Sequence, residues 1–513
     1  MNKKRLLINL TSNIISFALQ LGISFILTPI ITEKVGDAAY GFIGLANNFV
    51  SYANIFTVII NSMASRFVTY EMTKGNNEKA NKYYSSVFII DIIMSIAIGI
   101  ISFFLIINIQ DLIEVPIELT LDVKITFALA FANLILSIMS TIFTVATYVK
   151  NRLEIEAIRN IIGNIIRAIF LVIVFSLCTP KIYFIPLGAL LMTIFVLIAN
   201  IKITKDIAPE LKLSTNFFDK ESIKTLAKSG IWNSINNLSK TLLTGLDLLI
   251  ANLFIGADAM GLLSIAKTIP TNVESLLSTM ANIFSPQFII AYSKHRIREL
   301  INNVNFSTKI IALIMIVPIA GIIAFGTDFF TLWLPSKTAE EINQIQVLSI
   351  LSLLPYILSV NNYTLFILDT TTNKLKRPVI ATSIMSIVST ITTIILLITT
   401  DLGIYAVAGV SSIYWCIKII FFNTINAAKN LRIRWNTFFE QFLKNTVCLL
   451  IVLGIYTLLK RFIQINSWLQ FIEVVLPLGI IGYIFVFLVL FNKEEKKIIF
   501  KIVKNKIGKI TKK

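Results

Sequence analysis

Apolar residues run in long blocks along this chain, separated by short polar intervals. Fourteen blocks are long enough to cross a bilayer at about 20 residues per helical span. Their approximate limits are 7–31, 40–63, 85–109, 125–148, 157–179, 182–203, 230–255, 259–284, 306–327, 345–368, 378–400, 402–427, 443–463 and 470–491. In two of them the pattern changes. Asn233, Asn237, Lys240, Thr244 and Asp247 recur at steps of four, three, four and three, and Lys267, Thr271, Glu274 and Ser278 at four, three and four. Such steps place each set on one face of a helix. Ionisable groups inside hydrocarbon are costly and normally face a bundle interior or a water-filled cavity. The pattern predicts a polar path through a membrane. The alternative use of the same side chains is hydrogen bonding between helices.

The chain also repeats at an offset of 220 residues. Val35-Gly36-Asp37-Ala38-Ala39-Tyr40-Gly41 becomes Ile255-Gly256-Ala257-Asp258-Ala259-Met260-Gly261, and Asn13 maps onto Asn233. Lys240, Thr244, Lys267, Thr271 and Glu274 map onto Gln20, Ser24, Asn47, Ser51 and Asn54, all polar, whereas Asp247 maps onto Leu27. The expected architecture is an all-α polytopic membrane protein with two pseudo-symmetric six-helix lobes, 1–205 and 229–428, joined by a cytoplasmic linker at 206–228. Two further helices occupy 429–492, and a basic cytoplasmic tail follows at 493–513. Parallel repeats of this kind hold their substrate path between them.

Composition agrees with this class. Hydrophobic residues make up 56% and charged residues 14% of the 513, and the mean hydropathy is +0.80. The external loops implied by an inside N-terminus carry only six basic residues, Lys34, Lys124, Lys181, Lys337, Lys460 and Arg461, of the 46 in the chain. That bias places both termini in the cytoplasm. The net charge of +18 thus reflects topology and gives no reason to expect nucleic acid. The first block is too long for a cleaved signal peptide and lacks a small-residue cleavage site. Cys178, Cys416 and Cys448 have no metal-ligand spacing, and His295 is the single histidine. No cofactor and no catalytic set is expected. The tail carries nine lysines from Lys493 to Lys513 among apolar residues such as Ile498 and Phe500, which suits anionic lipid.

In antiparallel spans, positions of constant sum lie at similar depth. Lys240 then meets the level of Glu274, and Asp247 that of Lys267, since both pairs sum to 514. These pairs either neutralise one another or form a switch, in which an anionic substrate takes the lysines and Asp247 or Glu274 takes H+ or Na+. Arg167 lies deep in the fifth block with Asn160 and Asn164 on its face. It is a candidate for phosphate unless an acid such as Asp91 pairs with it. Arg66 and Asp91 read as interfacial anchors. Pro29, Pro270, Pro318 and Pro355 interrupt apolar blocks and are candidate hinges.

Several stretches carry a family likeness: Arg66-Phe67 through Lys74-Gly75-Asn76-Asn77-Glu78-Lys79-Ala80-Asn81-Lys82, then Lys150-Asn151-Arg152-Leu153-Glu154, and Ser229-Gly230-Ile231-Trp232-Asn233 leading to Leu246-Asp247. With the two lobes and two added helices, the chain resembles the polysaccharide transporter family of the multidrug/oligosaccharidyl-lipid/polysaccharide (MOP) exporter superfamily. The resemblance implies V-shaped lobes with alternating access. It implies a flippase for undecaprenyl-pyrophosphate-linked oligosaccharides in the bacterial cytoplasmic membrane, working beside a polysaccharide polymerase and glycosyltransferases. Arg167, Lys240 and Lys267, with Gln20, Asn47, Asn54, Asn237 and Thr271, would line its cationic cavity. Asp247 and Glu274 would couple an ion, and would also cancel two of the lysines. A peptidoglycan lipid-precursor flippase and a cation or drug exporter of the same superfamily are the alternatives.

Overall fold

The computed structural model describes residues 19, 21–150, 152–372 and 374–497, and every regular element among them is helical. Eleven helices are long and apolar enough to cross a membrane: Asp37–Thr73, Asn77–Ile107, Ile117–Val149, Glu154–Leu177, Phe184–Ile207, Ile297–Trp333, Ala339–Ser359, Lys376–Thr399, Ile404–Asn430, Phe439–Lys460 and Trp468–Leu490. Large apolar side chains such as Ile101, Phe103, Val172, Leu177 and Ile398 are exposed on them. Water would penalise such a surface and acyl chains would not. The chain is a multi-pass membrane protein.

Three of the fourteen expected spans are not among the eleven. Most of the first lies outside the described residues, as do Asn13, Gln20 and the tail beyond residue 497; its remainder is helical at 21–34. The seventh and eighth are each interrupted. Lys220–Thr244 is followed by a separate helix, Asp247–Phe254, and Ala257–Ala266 by Thr268–Asn282. The polar side chains that mark these two spans in the sequence also dilute their apolarity, and the breaks shorten them. Of the four candidate prolines, Pro270 stands three residues after a break, and Pro355 five residues before another at 360–362, which interrupts the expected tenth span. Pro355 itself lies inside Ala339–Ser359, Pro318 inside Ile297–Trp333, and Pro29 within 21–34.

By contact the helices form two compact units, Met1–Thr268 with Leu375–Tyr414, and Ile269–Lys374 with Trp415–Lys513. This grouping differs from the repeat, whose lobe boundaries stay an expectation from the sequence. In the first unit, Asp37–Thr73 packs against Ala257–Ala266 through small residues. A Cβ on Gly41 would lie 2.9 Å from the Cα of Gly261, and one on Gly44 2.7 Å from Oγ of Ser264. Gly41 and Gly261, like Gly44 and Ser264, are equivalents at the 220-residue offset. Small residues let membrane helices approach this closely. The repeated turns match as well. Gly36 and Gly256 have φ of 99° and 133°, a region open to glycine at little cost.

The expected linker is an ordered strap on the Asn77–Ile107 helix. Asn81 donates to the Glu210 carbonyl at 3.1 Å and accepts from the Lys212 N–H at 3.0 Å. The Ser85 hydroxyl donates to the Lys212 carbonyl at 3.1 Å, and Ser86 accepts from the Asp219 N–H at 2.9 Å. Lys150 pairs with Glu210 at 2.8 Å and holds that carboxyl below its usual range. Asp219 then caps Lys220–Thr244 by accepting from the Ser222 N–H at 2.9 Å.

The second unit is built on Ile297–Trp333, against which Phe439–Lys460 and Trp468–Leu490 pack around Phe325, Val452, Tyr456 and Val486. Lys309 pairs with Glu495 at 2.8 Å, and Asp328 with Lys460. Positions 309 and 328 lie about 28 Å apart at 1.5 Å per residue, close to the thickness of a hydrocarbon core.

The glycine contact can be tested directly. In Gly261→Ala the new Cβ meets the Asp37 carbonyl and the Ala38 N–H, which are backbone atoms that cannot swing away. The variant should lose about 1–3 kcal/mol, read as a lower unfolding midpoint of the purified chain in detergent. Gly321→Ala, with open space at its Cβ, should not fall. Equal midpoints for both variants would contradict the close approach.

Candidate functional site: two broken spans and their charges

Backbone groups at membrane depth must find partners within the protein, so a break in a span needs support. At the first break, the Gly245 carbonyl accepts from Asn48 Nδ2 at 2.8 Å and from the Tyr52 hydroxyl at 2.6 Å. Both donors come from Asp37–Thr73. The second break falls at Lys267, three residues before Pro270. Proline has no N–H, so the Ala266 carbonyl loses its donor four residues on.

Asp247 is the first residue after one break and Lys267 the residue at the other. The structure joins them in an ion pair, as the depth argument expects, and the Ser411 hydroxyl donates to the same Asp247 oxygen at 3.2 Å. Both side chains are largely buried, Lys267 17% and Asp247 9% exposed. The helix ends favour these signs. Asp247 opens a helix, where the dipole attracts anions, and Lys267 closes one, where it attracts cations. Neutralisation is the simpler use of this pair.

Glu274, in the second unit, accepts from the Tyr356 hydroxyl at 2.9 Å, and Tyr363 faces the same carboxylate. Lys240 is half-buried in Lys220–Thr244, in the first unit, and its pairing with Glu274 stays an expectation. Asn47, Ser51 and Asn54 share one exposed face of Asp37–Thr73, and Asn237 and Thr271 are also exposed. Asn54 Oδ1 accepts from Thr57 at 2.7 Å. Gln20 lies outside the described residues.

Arg167 sits in Leu153–Leu177 with its Nε buried and without a hydrogen-bond partner among the described residues. The two asparagines on its face turn elsewhere. Asn164 donates to the Asn160 carbonyl at 2.9 Å, and Asn160 Oδ1 accepts from Arg159 at 2.9 Å. Asp91 does not pair with Arg167 either, and it is no interfacial anchor. It is fully buried and accepts from Asn61 Nδ2 at 2.8 Å. Seven residues into an apolar block still read as an end on the sequence, but two neighbouring helices close over this one. Arg66 is exposed, as an anchor should be.

Three charged residues escape the sequence reading. Arg159 is buried, reaches Asn200 and lies 3.6 Å from Glu156; Asn200 in turn donates to Ser140 at 2.8 Å. Its place near a span end resembles an interfacial residue. Lys418 is buried in the twelfth span, with Nζ 5.0 Å from the Trp415 ring centroid and 5.6 Å from that of Phe366. It meets the same criterion as Lys240 and was open to detection. Asp369 accepts from Asn426 at 2.9 Å and Asn430 at 2.8 Å. It falls one residue beyond the predicted end of the tenth span.

Comparison with known proteins adds sequence and fold relationships. The profile of a family described as "Polysaccharide biosynthesis protein" matches residues 6–289. An uncharacterized membrane protein of Bacillus subtilis (strain 168), EpsK, is 25% identical over 498 residues, covering 96% of this chain and 97% of its own. A multidrug resistance MATE family transporter of the MOP superfamily, in an inward-facing conformation, superposes with a TM-score of 0.67 at 12% identity, covering 83% of this chain and 99% of its own. The lipid II flippase MurJ in an inward closed conformation gives 0.65 at 16% identity, covering 94% and 98%. The fold is that of MOP superfamily transporters.

Removing Lys267 should strand a buried carboxylate. Lys267→Met is expected to cost about 3–5 kcal/mol, and adding Asp247→Asn should return most of it. Thermal unfolding of the wild type, both single variants and the double variant measures the coupling. Strictly additive losses would show that the pair contributes nothing.

Proposed function

Because this chain belongs to the polysaccharide biosynthesis protein family, we propose that it is a flippase. It carries undecaprenyl-pyrophosphate-linked oligosaccharide repeat units from the inner to the outer leaflet of the bacterial cytoplasmic membrane. It works by alternating access, coupled to H+ or Na+, with both termini in the cytoplasm and with the polymerase and glycosyltransferases of the pathway as neighbours. The reading is that of a transporter rather than an enzyme.

The observation that carries this reading is Arg167. A guanidinium in a membrane helix, with a buried Nε lacking any hydrogen bond among the described residues, has donor capacity to offer an anion. Its planar fork matches the oxygens of a pyrophosphate. Exposed Asn47, Asn54, Asn237 and Thr271 supply amide and hydroxyl groups suited to sugars. Asp247 offsets the charge of Lys267, so this lysine serves the substrate only if phosphate displaces the carboxylate. In that event Asp247 is released and takes the coupling ion. Glu274 would act in the same way on leaving Tyr356.

One observation favours a second substrate. The lipid II flippase MurJ covers 94% of this chain, against 83% for the MATE transporter. A peptidoglycan precursor carries the same pyrophosphate and would suit Arg167 equally. A cation exporter would not.

The test is depletion of the protein in cells, followed by mass identification of polyprenyl-linked intermediates and of the leaflet they face. Cytoplasmic-side accumulation of a complete repeat unit is the expected result. Accumulation of the peptidoglycan precursor with lysis would select the second substrate, and no accumulation would end both readings. In the same assay Arg167→Ala should lower translocation by roughly tenfold or more, the worth of a charge-assisted hydrogen bond. Arg167→Lys should retain an intermediate rate.

A further inference from the structure

Among the described residues, the first unit holds a buried carboxylate without a counter-charge. Asn61 of Asp37–Thr73 donates Nδ2 to Oδ1 of Asp91 in Asn77–Ile107 at 2.8 Å, and Asp91 has no exposed surface. Among the described residues, Asp91 Oδ2 has no hydrogen-bond partner. Neither does Oδ1 of Asn61, nor Oγ of Ser95, one helical turn beyond Asp91. Buried polar atoms rarely go unpaired, and here three such oxygens belong to one acid, its partner across the helix pair and a serine one turn away on its own helix.

Rearranging the side chains does not supply the missing charge: the Ser95 hydroxyl can donate a hydrogen bond but is neutral. An ionised carboxylate and an amide oxygen both only accept, so turning the Asn61 amide over would set oxygen against oxygen. Charged groups on the helices packed against Asp91 are occupied elsewhere or lie outside. Glu71 is 3.4 Å from Lys79, Asp122 pairs with Lys181 at 2.9 Å, Lys124 donates to the Ile107 carbonyl at 3.1 Å, and Arg66 is exposed. Lys220, Glu221, Lys224, Lys228 and Lys240 of Lys220–Thr244 make no ion pair with Asp91; among the described residues its side-chain partner is Asn61.

One carboxylate among neutral oxygens is balanced by one positive charge, and a divalent ion would leave an excess in low dielectric. Oxygen donors suit a hard cation. We propose that Asn61, Asp91 and Ser95 form a site for a single monovalent cation, either a proton on Asp91 or a Na+ shared by the three oxygens.

The polar stripe supplies the approach. Asn47, Ser51 and Asn54 are exposed, and Asn61 continues their face two helical steps on, half-buried. Asn61 is the threshold between an open polar face and a sealed acid. Asp247 and Glu274, by contrast, already have donors in Lys267, Ser411 and Tyr356. The site depends only on these residues and stands or falls apart from the flippase reading.

The test uses the purified full-length chain in detergent. Its unfolding midpoint is measured in Na+ against choline at constant ionic strength, and in choline from about pH 8 to pH 5. A cation that binds only the folded state raises the midpoint by about 1–3 °C per tenfold rise in concentration. A rise with Na+ assigns sodium; a rise only on acidification assigns the proton. Asp91→Asn copies the shape of the protonated acid and donates to Asn61, so it should fold and flatten the response. Undiminished dependence in D91N, or none in wild type, overturns the site. Labelling of the wild type by a hydrophobic carbodiimide, mapped by mass spectrometry, is a second readout that needs no variant. Modification at Asp91 should occur and be suppressed by Na+ or by raised pH, according to the cation. An Asp91 unmodified under every condition also overturns the site.

Discussion

A membrane interior tolerates a broken helix only where the freed backbone and any charge beside it are answered from within the protein. Asp247 and Lys267 meet that constraint together. Each sits where a span is interrupted, and each has the sign that its helix end favours. Asn48 and Tyr52 complete the arrangement by holding the Gly245 carbonyl. Removing one member would leave the other as a lone buried charge beside a break, which is why the rest of the first unit depends on the two together.

The other buried charges divide by how fully they are answered. Arg159 and Asp369 are met by asparagines, and Lys418 by aromatic rings; these tie helices together. Arg167 and Asp91 keep atoms without partners. A side chain that is fully satisfied inside the fold has little left for a ligand, so the functional readings rest on the unsatisfied ones. Opposite signs at the two positions fit an anionic cargo and a cationic driver.

The helical class, the repeat and the Asp247–Lys267 pair were legible in the sequence because each follows from a short-range rule: span length, a constant offset, equal depth in antiparallel helices. The breaks were less so. Pro270 marks one, but Pro318 looks alike in sequence and leaves its helix whole, since neighbouring contacts decide whether a lost hydrogen bond opens a helix. Asp91 reads as interfacial on the sequence because depth along a span says nothing about which helices close over it. Asn61 could have been found as a continuation of the Asn47, Ser51 and Asn54 face. Its partner across the helix pair could not, since that contact depends on rotation about both axes.

The strap from Glu210 to Asp219 bears on how the protein is made. Its hydrogen bonds reach Asn81, Ser85 and Ser86, and its ion pair reaches Lys150, all earlier in the chain. A ribosome that has just completed residue 219 has therefore produced every group needed to close this face. The Asn77–Ile107 helix and the end of Ile117–Val149 can be latched before the polar and broken helices that follow are complete, so those are inserted beside an already fastened pair.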